Sequence, residues 1–598
     1  MTDRQCLPTS AKEVKERGWD SVDVILFSGD AYIDHPSFGA AIIGRLLESL
    51  GLKTAIVPQP NWQDDLRDFK KLGRPNLFFA ISAGSMDSMV NHYTAAKRKR
   101  SDDAYTPQGR AGARPDRATI VYSRIIRDIY PDTPIVIGGV EASLRRFTHY
   151  DYWEDTLKPS ILIESAADIL IYGMGEKPLT ELCKLLKKGI PFHNLTNIPQ
   201  TCIVRKTNEK FAVHPAWQQI FLTPHEECLK DKKKYAQNFC TIEEESNKME
   251  AAQLLQQNGD TLLIANPQYP PMSSGELDAV YALPFTRLPH PRYKDKEIPA
   301  YNMIRHSITL HRGCFGGCSF CSICAHQGKF ISSRSPESIV KEAVKISEMP
   351  DFKGSISDLG GPSANMYAMA GKELDICRSC RKPSCTFPTI CNNLNTDHAP
   401  LLRVYEQVGK LKGIKHSFIG SGIRYDLCLH KTKDAELNKR NETYLEVLLK
   451  EHVSGRLKVA PEHVVEHVLK CMRKPSFALF RQLKAFFDKI NEKYNLQQQL
   501  IPYFMSSHPG CSPKDMEELA LATKQLNFHL EQAQDFTPTP MTLATEMFYS
   551  GFDPYTLQPV KSAKTKEEKK HQNSFFFWYK SAPFKSHFFA LFLSLCYG

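Results

Sequence analysis

Nothing in these 598 residues approaches the roughly 18-residue apolar run that a membrane-crossing helix needs. The first residues lack an apolar leader core, so secretion is not expected. Without secretion, seventeen cysteines do not read as a disulfide scaffold. The chain also lacks short internal repeats and any nucleic-acid module signature. A strong charge of one sign is missing too, with 77 Lys and Arg against 66 Asp and Glu. The excess of +11 comes partly from short runs at 97–100, 230–234 and 561–570. Such runs usually form solvated loops rather than a phosphate-binding patch. The expectation is a cytoplasmic protein with no membrane partner, and nucleic acid stays open as a partner.

What is present is an α/β pattern. At this length roughly three or four domains are expected. Short apolar runs near 21–27, 54–57, 77–82, 134–138 and 169–172 alternate with helical spacing, as in Phe38, Ile42, Ile43, Leu46, Leu47 and Leu50. That alternation predicts a doubly wound parallel sheet over 1–195. Glycines mark its strand ends: Gly29, Gly84, Gly138, Gly139, Gly173 and Gly175. Residues 196–297 read as an irregular connector, with an exposed helix at 243–257 and a Pro- and Tyr-rich stretch from 267 to 299. Alternation resumes over 298–555, with strands near 307–310, 354–359, 416–420, 456–459 and 500–504. The last segment, 556–598, reads as a basic tail, disordered or atypical, whose end at 588–598 is apolar but too short to span a membrane.

The cysteines are clustered rather than scattered. Cys314, Cys318 and Cys321 lie on one short loop just after the 307–310 strand. Three thiolates there can each hold one iron of a four-iron cluster and leave the fourth iron open. Gly316 and Gly317 let the loop wrap closely. Cys324 extends the run toward a ferredoxin pattern, but position 328 is Gly where a ferredoxin run wants a further cysteine. Zinc is the other rival for these thiolates. A second group, Cys377, Cys380, Cys385 and Cys391, sits on a loop inserted at 377–391 with Pro383 and Pro388 between its members. Four thiolates so close suit a closed site for zinc or an auxiliary iron–sulfur cluster.

The first loop, with an aromatic residue before its third cysteine, resembles the radical SAM (S-adenosylmethionine) superfamily. The likeness is nearer still to YgiQ-type radical SAM proteins. It runs from GDAYIDHPSFG at 29–39 through PFTRLPHP at 284–291, GGPSANM at 360–366 and VAPEH at 459–463 to DFTPTPM at 535–541. The resemblance implies a cobalamin-binding-like N-terminal α/β domain followed by a partial (β/α) radical SAM barrel. It also implies a 4Fe–4S cluster at the carboxyl-end face of the strands. Such a protein cleaves SAM reductively to a 5′-deoxyadenosyl radical, on a substrate the residues do not name. An electron donor such as a flavodoxin or ferredoxin is the partner this implies.

By the same resemblance, Gly360 and Gly361 approach the SAM amino group, although Pro362 replaces the usual acidic residue. Ser421 and Arg424 follow another strand, and Arg424 could pair with a carboxylate. Glu462, with His463, ends a strand at the active face and could reach SAM or substrate. A cobalamin-ligating histidine needs D-x-H-x-x-G, but Asp34 and His35 are adjacent and Gly39 lies four beyond His35. Cobalamin is therefore not expected, and His35 is expected to face the cleft between sheet and barrel. The competing class is a non-catalytic, metal-stabilised module that binds nucleic acid or protein.

Overall fold

The computed structural model describes residues 5–579 apart from Lys210 and Gln532. The apolar end at 588–598 lies outside the described residues.

The N-terminal sheet is built from runs that are buried throughout rather than alternately. Strands β1 (Val24–Ser28) and β2 (Thr54–Pro58) have every residue buried. Val24 and Leu26 enter one core while Ile25 and Phe27 enter the other, so helices must cover both faces. β3 (Phe78–Ser82), β4 (Ile135–Gly138) and β5 (Ile169–Ile171) extend the parallel set. The sheet does not stop at 195. β6 (Thr201–Lys206), β7 (Gln219–Leu222), β8 (Gln253–Asn258) and β9 (Thr261–Ala265) carry it to nine strands, in the order β2-β1-β3-β4-β5-β6-β9-β8-β7. The helix expected over 243–257 is instead the end of helix Lys232–Ser246 followed by β8. Pairing on both sides of β8 decides its state against its glutamine-rich composition.

The second half is an open barrel. β10 (Ser307–Thr309) and β11 (Asp358–Gly360) pair in parallel. β12 (Arg456–Glu462), β13 (Gln499–Ser506) and β14 (Ala533–Asp535) form a second parallel group. Helices such as Pro336–Ser347, Ala435–Glu451 and Phe477–Tyr494 bury Ile339, Leu448 and Phe480 against them. Helix Lys566–Ser574, in the segment read as a tail, packs on this core with Phe575 and Phe576 buried behind it. No helix among the described residues is long and apolar enough to cross a membrane.

Candidate functional site

Both halves turn the carboxyl ends of their strands toward one another. Between them lies a cavity of about 510 Å³. Ser82, Gly138, Gly139 and Gly173 line it from the sheet, and Thr309, His311, Gly360 and Gly361 from the barrel. This is where parallel α/β sheets bind ligands, because loops rather than side-chain-covered helices close that end.

β10 feeds the cysteine loop directly. Chain reversal is fixed by Cys314 N–H donating to the Gly328 carbonyl at 3.1 Å and Cys321 N–H donating to the Cys318 carbonyl at 3.1 Å. Gly317 has φ +60°, and a Cβ there would collide with the Pro383 carbonyl and stand 2.8 Å from Ser384 Cβ. The Cys324 thiol donates to the Cys314 carbonyl at 2.7 Å, so it is engaged in holding the loop. Arg424 is buried and its Nη1 stands 3.6 Å from Cys318 Sγ. Its Nε donates to Asp426 at 2.9 Å and its Nη2 to Thr386 at 2.7 Å, so its planar fork is spent on protein partners. Burial, then the neighbouring Cys318 and Cys314, push the Cys321 thiol up to about 12. Cys314 is moved the other way, by the Cys324 hydrogen bond, then by the Gly316 amide and Arg424. These thiols sense one another. Among the described residues, however, no three Cys, His, Asp or Glu side chains are drawn to metal-binding distance.

The other expected residues are dispersed around this loop. Gly360 packs against Ser421, whose hydroxyl donates to Asp358 at 3.0 Å. A Cβ on Gly361 would stand 2.5 Å from the His311 ring. Both glycines are thus required by side chains packed on them. Glu462 ends β12 at φ +69°, a conformation a non-glycine residue rarely adopts. Burial raises its carboxyl pKa against the pull of Lys474, and its charge reaches Cys321. His463 is buried with Nε2 3.6 Å from Cys511 Sγ.

The inserted loop clasps the first one. Cys385 N–H donates to the Phe315 carbonyl at 2.9 Å, and Ser384 Oγ donates to the Gly316 carbonyl at 2.7 Å. The buried Lys329 lies beside it, donating from Nζ to the Lys382 carbonyl at 2.8 Å and standing 3.7 Å from Cys380 Sγ. Asn393 Nδ2 stands 3.5 Å from Cys377 Sγ.

His35 departs from expectation. It is 1% exposed and outside the cavity lining, where only its neighbours Pro36 and Ser37 appear. Its Nδ1 accepts from the Ser37 amide at 3.1 Å, and burial, then Arg287, hold the ring neutral. Sequence reasoning missed His311, Arg312 and Asp358. The signal available was a His–Arg pair directly after an apolar strand, where polar residues are costly unless used.

A doubly wound sheet facing a partial barrel, with cysteines at the barrel's first strand end, defines the class of radical SAM enzymes. The family model described as Radical SAM N-terminal matches residues 6–307. A UPF0313 protein of Bacteroides thetaiotaomicron is 61% identical, over 96% of this chain and 94% of its own. A UPF0313 protein of Methanocella arvoryzae is 45% identical, over 93% and 90%. The chain belongs to the YgiQ-type radical SAM family, and it is an enzyme rather than a non-catalytic binding module.

Among solved structures, the radical SAM methyltransferase TsrM from Kitasatospora setae, with cobalamin and a 4Fe–4S cluster bound, aligns at 13% identity and TM-score 0.48, over 94% of this chain and 90% of that one. The cobalamin-dependent radical SAM enzyme OxsB with aqua-cobalamin bound aligns at 12% and 0.49, over 92% and 58%. The expectation against cobalamin is corrected by these cobalamin-bound structures. It rested on the spacing around His35, and the fold removes His35 from the cavity, so that spacing carries no information on what the cavity holds.

Proposed function

We propose that Cys314, Cys318 and Cys321 hold a 4Fe–4S cluster at which this enzyme cleaves SAM reductively. The observation that carries the reading is one loop at a strand's carboxyl end presenting three thiols, with the Arg424 guanidinium against Cys318. A cluster bound there would supply one electron to split the SAM sulfonium into methionine and a 5′-deoxyadenosyl radical. Gly316 and Gly317 leave room for Arg424 and Pro383, which a Cβ at either position would meet. Arg424 offsets the negative charge of the thiolates and donates an N–H toward sulfur, a contact that raises cluster potentials. Gly360, Gly361, Ser421 and Glu462 would flank SAM. Because Asp426 already occupies the Arg424 fork, Arg424 acts on the thiolates rather than on the SAM carboxylate.

Cys377, Cys380, Cys385 and Cys391 would hold zinc or an auxiliary cluster. Lys329 supports this, since it forms no ion pair with a carboxylate among the described residues and its Nζ stands 3.7 Å from Cys380 Sγ, where it would offset the charge of bound thiolates. The reducing electron would come from a flavodoxin or ferredoxin. The test is anaerobic reconstitution with iron and sulfide, then reduction with SAM present. Formation of 5′-deoxyadenosine supports the reading, and a protein with four irons per chain that leaves SAM intact sinks it.

A further inference from the structure

Three basic runs that lie far apart in the sequence meet on one face of the molecule. Lys97 comes from the first run, Lys232 from the second, and Lys564 and Lys569 from the third. Lys97 Nζ and Lys569 Nζ stand over the same Tyr152 ring, 4.6 and 4.5 Å from its centre. Lys564 Nζ and Lys569 Nζ stand 4.8 and 5.2 Å from the centre of the Phe548 ring. Lys232 Nζ and Lys564 Nζ donate to one oxygen, the Tyr549 carbonyl, at 3.3 and 3.4 Å. Tyr150 packs on Phe548 and Tyr549, and Tyr152 on Phe548, so the lysines share one aromatic floor. That floor stands near the cysteine loop. The helix Leu543–Ser550 carries Phe548 and Tyr549 at one end, and at the other its Ala544 N–H donates to the Ser319 carbonyl at 2.8 Å. At 1.5 Å per residue, the face lies about 10 Å from that loop along the helix.

These cations lack counter-charges. None of the four lysines forms a salt bridge with a carboxylate among the described residues, and neither do the exposed Arg98, Lys99 and Arg100 beside Lys97. In the second run only Lys234 does, with Glu227. The carboxylates whose charge reaches the lysines are engaged elsewhere. Asp155 accepts from the Tyr150 hydroxyl, and Asp535 from Ser506 and Asn573. Ammonium groups held this close repel one another. Desolvation, then Lys232, lowers the Lys564 pKa, and burial takes Lys569 down to about 8, with Asp535 opposing and Lys97 adding. A polyanion laid over the face supplies the missing countercharge. The Tyr152 and Phe548 rings are buried under the lysines, so they offer no free surface for base stacking. Contact is then to phosphates, and a nucleic acid whose bases already stack on one another suits the face. Lipid suits it less, because Phe575 and Phe576, which follow the Lys566–Ser574 helix, are buried in the core and cannot insert.

We propose that the face built by Lys97, Lys232, Lys564 and Lys569 binds a base-paired nucleic acid through its phosphate backbone, so that the polymer lies beside the cysteine loop. The binding does not rest on the cluster assignment.

Fluorescence anisotropy with the anaerobically reconstituted holoenzyme tests it, using a labelled RNA hairpin and the DNA hairpin of the same sequence. The expected result is a dissociation constant below about 10 μM at about 100 mM salt for at least one hairpin. A preference for either hairpin names the polymer, and equal binding means that only phosphates are read. Lys97, Lys232 and Lys564 are exposed, so the triple variant Lys97→Gln/Lys232→Gln/Lys564→Gln should fold. It should weaken binding at least about tenfold and reduce the slope of log affinity against log salt by about 2–3. Lys412→Gln/Lys439→Gln/Lys489→Gln removes the same charge from elsewhere on the barrel and should leave affinity and slope unchanged. Melting followed by circular dichroism checks both variants. Should the first not fold, Lys232→Gln/Lys564→Gln replaces it, with a slope change of about 2. The proposal is overturned if neither hairpin binds at that level, if binding ignores salt, or if the control triple weakens it as much. It is also overturned if polyglutamate or phosphatidylserine vesicles bind more tightly than both hairpins, which would assign the face to an acidic protein or to lipid. Binding needs no SAM cleavage, so failure here and failure of the cluster assignment are read separately.

Discussion

Single thiols are not interchangeable here. Cys314, Cys318 and Cys321 are each one of three proposed protein ligands, so replacing any one with Ala should remove iron and 5′-deoxyadenosine formation together. The Cys324 thiol is tied to a backbone carbonyl. Cys324→Ala should keep the cluster and lose about 1 kcal/mol of local stability. Iron analysis of the four variants checks this, and loss of iron only in Cys324→Ala would reverse the assignment. A second residue tests the core. Glu546 is buried with the Tyr235 hydroxyl donating to it at 2.9 Å. Burial lifts its carboxyl from 4.5 to about 8. The folded state keeps that proton until about pH 8, while the unfolded chain releases it near 4.5. The folded state therefore binds more protons across this window, and stability falls as pH rises through it. Glu546→Gln keeps an acceptor for Tyr235 and cannot ionise. It should unfold at higher denaturant than the parent at pH 8, by on the order of a few kcal/mol, and match it near pH 4.5.

At the scale of elements, the two cysteine loops form one mechanical unit. Ser384 serves both, donating to the Gly316 carbonyl at 2.7 Å and accepting from the Thr386 and Phe387 amides at 3.1 and 3.0 Å. Ser384→Ala leaves these groups buried and unpaired, costing about 1–3 kcal/mol locally. Gly317→Ala adds a forbidden contact with Pro383 and a strained φ. Both should speed iron loss to a chelator. Equal chelation rates in parent and variants would separate the loops. A converse test is the triple Ala variant at Cys314, Cys318 and Cys321, which should still retain zinc or iron at the second group.

At the scale of the molecule, sheet and barrel are joined by buried polar ties. Arg312 pairs with Glu176, Arg473 with Glu243, and Tyr235 with Glu546. The Lys566–Ser574 helix adds Lys569, which donates to the Tyr152 hydroxyl at 2.8 Å across the two halves. Unfolding should be one cooperative transition by calorimetry. Ending the chain at residue 563 removes that helix with Phe575 and Phe576, each worth about 1.5–3 kcal/mol of burial. The truncated protein should melt several degrees lower. An unchanged midpoint would make the helix a passive appendage.

The chain order alone carried the cysteine sets, because their members are neighbours in sequence and their spacing is itself the chemistry. It also carried the alternating strands and helices, since apolar runs such as 24–28 and 54–58 need no partner to be recognised. The pairing of Gln253–Asn258 into the sheet, the exclusion of His35 from the cavity and the convergence of His311, Arg312 and Glu176 were decided only in three dimensions. Each depends on contacts between residues far apart in the chain, as with Glu176 and Arg312 at a separation of 136. Burial there is set by which surfaces meet, and no local periodicity encodes that.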